Sequence, residues 1–155
     1  MDEKTFKTLL LQFQHLASAN PAVLATLDLL EEEYRFAKTA DLKPANQKRQ
    51  NLYKILHSTR MLDSGMKAFL QIYNEVPAKH CEWTMGGYLK ALKKGGNGAF
   101  TKLNQGLSQR LQDNIVGERN RLLHVAGQYP SSKATSVLQN DIVSAMQTIL
   151  NLAKP

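Results

Sequence analysis

The chain has 155 residues, of which 43% are hydrophobic and 21% are charged, the balance of a globular protein that can bury a core without staples. No run approaches about 18 consecutive apolar residues, so no membrane span is expected, and the single cysteine, Cys81, excludes an internal disulfide. The first residues lack the order of a signal peptide, so we expect a cytoplasmic protein with one domain, residues 1–155. The net charge of +7 has the sign that suits a polyanionic partner.

Three amphipathic helices are predicted in the first half of the chain. Apolar residues recur at steps of three and four over residues 6–17, which predicts the first helix. Asn20 followed by Pro21 predicts an N-cap with proline at the first helical position, and this second helix must end before Pro44. The third and longest pattern covers residues 52–73. Gly65 lies inside it and predicts either a bend or a close contact between helices.

A connection over residues 76–82 and a short helix follow. His80 and Cys81 are adjacent potential ligands with no second pair, which does not match structural zinc spacing, so no metal site is expected. The short helix is predicted over residues 84–94. The segment 95–98, Gly-Gly-Asn-Gly, lacks the ending of a phosphate-binding P-loop and does not follow a strand. It is predicted to be a flexible connector, with contact to an RNA backbone as the alternative.

Two further helices complete the predicted fold. The fifth begins near Ala99 or after Gly106, and it ends at Gly127 with Pro130 beyond it. A last amphipathic helix covers residues 137–152. No run alternates with period two for long enough to indicate a strand. The predicted class is therefore all-α, a bundle of about five to six helices with one long central helix and a short helix before the fifth.

The fifth helix contains one unusual cation. At about 100° per residue, Arg119 falls inside the apolar arc, and Asn120 and His124 lie together on its edge. A guanidinium that faces inward is unfavourable unless it is paired or lines a wet cavity. Two explanations remain open, an ion pair with Glu118 or a catalytic cleft. The apolar stripe consists of Leu107, Leu111, Ile115 and Leu122.

The three residues Arg119, Asn120 and His124 combine a fixed positive charge, a hydrogen-bonding amide and the side chain whose unperturbed pKa lies nearest neutrality. Such a set can cleave RNA without a metal ion or another cofactor, because the 2′-hydroxyl can attack the adjacent phosphate and leave a 2′,3′-cyclic phosphate. His124 would move a proton and Arg119 would stabilise the phosphoryl charge. Asn120 would orient His124 or the phosphate. No paired carboxylates or clustered ligands indicate metal-assisted hydrolysis.

The motif Arg119-Asn120-x-x-x-His124, late in an all-α chain, resembles the signature of the HEPN superfamily (higher eukaryotes and prokaryotes nucleotide-binding domains). The order of helices is similar to that of the superfamily, although the resemblance in residues covers only this hexapeptide and Ala126 stands where some members carry a tyrosine. The resemblance implies an endoribonuclease that acts as a symmetric homodimer with a composite cleft. It also implies a toxin or host-defence effector, restrained by an antitoxin protein.

Basic residues near the motif are candidates for RNA contacts. Arg121, Lys93, Lys94 and Lys102 are predicted to bind the substrate, although a solvated surface explains each of them as well. Glu118 is expected to be the structural partner of the site. Two other functions remain open. One is a non-catalytic HEPN-like module that binds RNA, nucleotide or protein, and the other is a helical-bundle interaction protein in which the cation and Glu118 are structural.

Overall fold

The structure, a computed structural model, describes residues 2–42, 46–124 and 129–154, apart from the side chains of Leu123 and His124. No strand occurs among these residues. A π-helical segment, Gln112–Gly117, joins α5 to α6 without a break, so the described chain forms six continuous helices and confirms the predicted all-α bundle. The α-helices are α1 (Glu3–Ala17), α2 (Pro21–Lys38), α3 (Gln47–Ile72), α4 (Met85–Lys94), α5 (Gln105–Leu111), α6 (Glu118–His124) and α7 (Ser132–Leu150).

Polar side chains cap several of these helices at their N-termini. The Asn20 amide oxygen accepts hydrogen bonds from two N–H groups of the first turn of α2, and Pro21 occupies the first helical position, which confirms the predicted cap. Thr84 Oγ1 accepts a hydrogen bond from the Gly87 N–H at 3.2 Å and begins α4, the predicted short helix. These boundaries follow from local signals, because a cap satisfies N–H groups that have no partner inside the helix.

The longest helix, α3, lies at the centre and packs most extensively against α2 and then α7. Gly65 marks one of these contacts. A Cβ atom built on it would lie 3.4 Å from Leu30 Cδ1, 3.6 Å from Met146 Cε and 3.6 Å from Phe13 Cζ. All three neighbours are buried and come from three different helices. The close helix contact predicted at Gly65 is therefore present.

The helix that carries the motif differs from its prediction in one respect. It begins at Gln105, capped by Asn104, and Ile115 is buried as expected. Leu107, which was assigned to the same apolar stripe, is 38% exposed. The stripe was extrapolated at a constant 100° per residue, whereas the π-helical segment forms i→i+5 hydrogen bonds and changes the angular step. The register before the segment therefore does not extend to α6.

The glycine-rich segment after α4 is a compact turn. Gly95 has a φ of 73°, a left-handed conformation that glycine adopts without strain, and a Cβ atom there would lie 2.3 Å from Lys102 Cγ. The following Phe100 is buried, with its ring centroid 5.2 Å from that of Phe69. The turn thus holds the chain against the core between α4 and α5, rather than acting as an open linker.

Candidate functional site

Arg119 lies near the start of α6, and its side chain is half-buried. Its Nη1 donates a hydrogen bond to Asn120 Oδ1 at 3.2 Å, and the Asn120 side chain is itself exposed. Among the described residues Arg119 forms no salt bridge. A guanidinium that is partly removed from water and forms no salt bridge retains the capacity to bind an anion.

Glu118 binds a different arginine from the one considered in the sequence. Its two carboxylate oxygens accept hydrogen bonds from Arg121, at 2.9 Å from Nε and 2.6 Å from Nη2. These hydrogen bonds lower the pKa of Glu118. The explanation that Arg119 is paired with Glu118 is therefore wrong, because residues 118 and 119 point in different directions on a helix whereas positions i and i+3 are neighbours. Glu118 supports Arg121, one of the predicted substrate-binding residues.

A small polar pocket opens beside Arg119. Its volume is about 160 Å³, and it lies between α3, the start of α4 and α6. Two guanidinium groups and one carboxyl group line it, and the positive end of the α4 dipole forms part of its wall. The lining residues are Thr59, Arg60, Asp63, Trp83, Thr84, Met85 and Arg119. We refer to this cavity as the Arg119 pocket.

Asp63 is the residue of this pocket that the sequence reasoning missed. Its Oδ1 is buried and has no hydrogen-bond partner among the described residues. Burial raises the pKa of Asp63 to about 6, while Arg119, Lys67 and Arg60 act in the opposite direction. A signal was present in the sequence, since Asp63 lies one turn after Thr59 and so falls on the apolar arc of α3. A carboxylate there needs a partner or a function.

Arg60 is held by a second carboxylate outside the pocket. Glu33, which is only 8% exposed, accepts a hydrogen bond from Arg60 Nε at 3.0 Å and contacts His57 Nδ1 at 2.7 Å. His57 is thus a satisfied packing residue, the interpretation that its place in an amphipathic helix favours. The contact with Glu33 holds Arg60, which also lines the Arg119 pocket from α3.

One wall of the pocket is a fixed aromatic stack. Trp83 Nε1 donates a hydrogen bond to the Pro77 carbonyl at 2.8 Å, and the Trp83 ring stacks on His80 with centroids 4.1 Å apart. Lys67 Nζ lies 4.4 Å from the centre of the Trp83 ring. His80 therefore takes part in this stack, and its neighbour Cys81 is exposed. The connection before α4 is thereby tied to the bundle.

The three predicted substrate-binding lysines lie at the other end of α4. Lys93 and Lys94 occupy its last turn, and Lys102 packs beside Gly95 just after it. The pocket contacts the first residues of α4, and a ten-residue helix is about 15 Å long at roughly 1.5 Å per residue. These lysines form a separate exposed basic cluster, and the structure does not bring them together with Arg119.

His124 is the last residue of α6, and its side chain lies outside the described part of the structure. The predicted helix stop at Gly127 and the departure at Ala126 also lie outside the described residues. Pro130 is described and lies in the connection before α7. The catalytic role of His124 and its relation to Asn120 therefore stay predictions.

Within the described ranges, the chain has neither a candidate metal site nor a membrane-spanning helix. No group of three or more His, Cys, Asp and Glu side chains is arranged to hold a metal ion. No described helix combines the length and the apolar character that crossing a membrane requires. Comparisons of the chain with models of known protein families, with curated proteins and with solved structures each found no match.

Proposed function

We propose that this chain is a metal-independent endoribonuclease of the HEPN type, in which Arg119 binds the scissile phosphate. One observation carries the proposal. Arg119 is half-buried, forms no salt bridge among the described residues and faces a pocket that it shares with a second arginine, Arg60. A guanidinium without a salt bridge and the N-terminus of α4 favour a phosphate group in this pocket, and Arg60, although bound to Glu33, adds a second cation to its lining.

The size of the pocket supports this occupant. About 160 Å³ is less than the roughly 300–1,000 Å³ typical of sites that enclose a whole small molecule. A phosphate group of a longer chain would enter, while the sugars and bases would stay outside on the surface. The net charge of +7 would attract such a polyanion.

In the proposed reaction, the RNA 2′-oxygen loses its proton to His124 and attacks the adjacent phosphorus. The new O2′–P bond forms as the P–O5′ bond breaks, which gives a 2′,3′-cyclic phosphate and a 5′-hydroxyl. Arg119 stabilises the charge that develops on the phosphoryl oxygens. Asn120 holds the guanidinium through the 3.2 Å hydrogen bond described above.

The HEPN resemblance extends this proposal to partners and setting. A homodimer would supply a second copy of His124, since one histidine cannot easily serve both ends of the reaction. The setting would be the cytoplasm, with the protein as a toxin or antiphage effector and an antitoxin protein as its regulator. The exposed lysine cluster at the end of α4 would contact RNA away from the scissile phosphate.

The alternative function is a non-catalytic module that binds RNA or nucleotide. One feature favours it, because the Arg119 pocket offers an anion site whose described residues include no histidine. In this case RNA would bind to the pocket and remain intact. The two functions share a ligand and differ in whether RNA is cut.

The test is incubation of the purified protein with labelled RNA in EDTA, with His124→Ala as the inactive variant. His15→Ala is a matched control, since His15 is an exposed histidine on α1. We expect the wild type and His15→Ala to cleave RNA and leave cyclic phosphate ends, and His124→Ala to bind RNA without cleaving it. Binding without cleavage by the folded wild type would instead support the binding module.

A further inference from the structure

The Arg119 pocket contains an acid that the HEPN motif does not include. Asp63 lines the same cavity as Arg119 but comes from a different helix, α3. Its Oδ1 is buried and accepts no hydrogen bond in the described structure. Buried polar atoms without a partner are uncommon in folded proteins, and a catalytic role or a bound water or ion is among the explanations for them.

The groups around Asp63 come from three helices. Arg60 and Lys67 approach from α3 and Arg119 from α6, and all three lower the pKa of Asp63. The Tyr88 hydroxyl of α4 is also near, and burial and the charge of Asp63 raise its pKa to about 12. Burial outweighs the three cations and leaves the pKa of Asp63 at about 6. A phosphate group in the pocket would add a negative charge and favour the protonated carboxyl further.

We propose that Asp63 is the general acid of the RNA cleavage, donating its proton to the departing 5′-oxygen while Arg119 holds the phosphate. This inference rests on the proposed function. The base, His124, takes the 2′-hydroxyl proton, and Asp63 supplies a proton to O5′ as the P–O5′ bond breaks. After the reaction His124 is protonated and Asp63 is ionised, and exchange with water restores both groups.

With this assignment, a second chain is no longer needed to supply the general acid. The HEPN resemblance implies a composite cleft because a single histidine cannot act at both ends of the reaction. With Asp63 as the acid, one chain supplies the acid, the base and the phosphate-binding arginine. A carboxyl that is protonated when phosphate is bound also avoids the repulsion that an ionised carboxylate would exert on the phosphate.

The experiment compares the wild type with Asp63→Asn, and with Asp28→Asn as a control that removes an exposed carboxylate of α2. Each protein receives two RNA oligonucleotides that differ only at the mapped scissile linkage. One carries the ordinary 5′-oxygen, and the other carries a bridging sulfur, whose thiolate leaves without a proton. Circular dichroism and RNA affinity confirm that each variant is folded and binds RNA.

We expect Asp63→Asn to cleave the ordinary linkage about 10²- to 10⁴-fold more slowly, the usual contribution of a general acid. On the sulfur linkage its rate should approach that of the wild type, and the control should match the wild type on both. The rate of the wild type on ordinary RNA should fall as Asp63 ionises with rising pH. On the sulfur linkage this dependence on Asp63 should be absent.

The failures are distinguishable. If the folded wild type cuts no RNA in EDTA, the proposed nuclease is wrong and Asp63 has no such reaction to assist. If the wild type and Asp63→Asn cut ordinary RNA at the same rate, the nuclease stands and the acid role is wrong. Equal losses on both linkages would show that Asp63 supports binding or the position of Arg119, and would also overturn the acid role.

Discussion

Two carboxylates near Arg60, the buried Glu33 and the half-buried Asp63, have opposite surroundings. Glu33 of α2 has both oxygens in contact with donors, one with Arg60 and one with His57. Asp63 of α3 has three cations nearby and yet one oxygen without a hydrogen bond. Since a buried carboxylate oxygen is stabilised only when partners replace water, Glu33 has a satisfied, structural arrangement, whereas Asp63 retains an unsatisfied oxygen. This difference agrees with a structural role for Glu33 and with the functional role that is proposed for Asp63.

A large effect is expected at Arg119, the cation that lines the same pocket as Asp63. Arg119→Ala should slow RNA cleavage about 10²- to 10³-fold, because in the proposed mechanism it removes the group that stabilises charge on the phosphoryl oxygens. Arg35→Ala is the matched control, since Arg35 is an exposed arginine on α2. Initial rates in EDTA measure both. If Arg119→Ala cleaves RNA as fast as the control does, phosphate binding in the pocket is not part of catalysis.

Glu33, whose two carboxylate oxygens both have partners, should contribute to the stability of the fold. Glu33→Gln should lower the free energy of unfolding by about 2–3 kcal/mol, because an amide N–H₂ would face a donor of Arg60 or His57 and leave it unsatisfied. Urea unfolding at pH 7 measures the change, with Glu32→Gln as the control at an exposed neighbouring position. Equal stability of the two variants would mean that the contacts of Glu33 contribute nothing measurable.

Replacement of Asp63 should change the free energy of unfolding in the opposite direction. Burial raises the pKa of Asp63 to about 6 in the folded chain, from an ordinary value of 3.8, so between these values the folded state binds more protons than the unfolded state and stability falls as pH rises. Above pH 6 Asp63→Asn should therefore be about 1–2 kcal/mol more stable than the wild type, after allowance for solvent screening. Near pH 3.5 the two should converge.

Urea unfolding between pH 3.5 and pH 8 tests this sign, with Asp28→Asn as the control. A wild-type protein that is more stable than Asp63→Asn at pH 7 would show that the ionised Asp63 is a net stabilising partner of Arg119. In that case the two carboxylates would be alike, and Asp63 would be structural in the way that Glu33 is.

The fold could be predicted from the sequence because the features that indicate its helices are local. The helical periodicity, the Asn20-Pro21 cap and the contact at Gly65 each depend on residues close together in the chain or on one small side chain. The π-helical segment was missed, since nothing in the residues 112–117 breaks the 3.6-residue period. The altered register explains why Leu107 is exposed although the motif helix as a whole was predicted.

The site was predicted only in part. Arg119 is half-buried, as its predicted place on the apolar arc implies, although the register that led to this prediction does not extend across the π-helical segment. The approach of Asp63 and Arg60 to it depends on how α3 packs against α6, which is a long-range contact that one sequence does not reveal. The lysines at the end of α4 were grouped with the site by charge alone, and the length of that helix separates them from it.

The smallest effect is expected where the sequence reasoning misplaced an ion pair. Glu118→Gln weakens the contact with Arg121, but the two side chains are 32% and 51% exposed, and such i,i+3 pairs contribute little. The free energy of unfolding should fall by less than about 0.5 kcal/mol. RNA affinity at low salt should rise slightly, since a negative charge beside Arg121 is lost.

Urea unfolding and RNA titration at two salt concentrations measure these effects. A loss above about 1 kcal/mol, well beyond the usual range for an exposed pair, would place Glu118 among the structural carboxylates with Glu33. A small loss with tighter RNA binding would leave Glu118 as a surface residue that reduces the local positive charge.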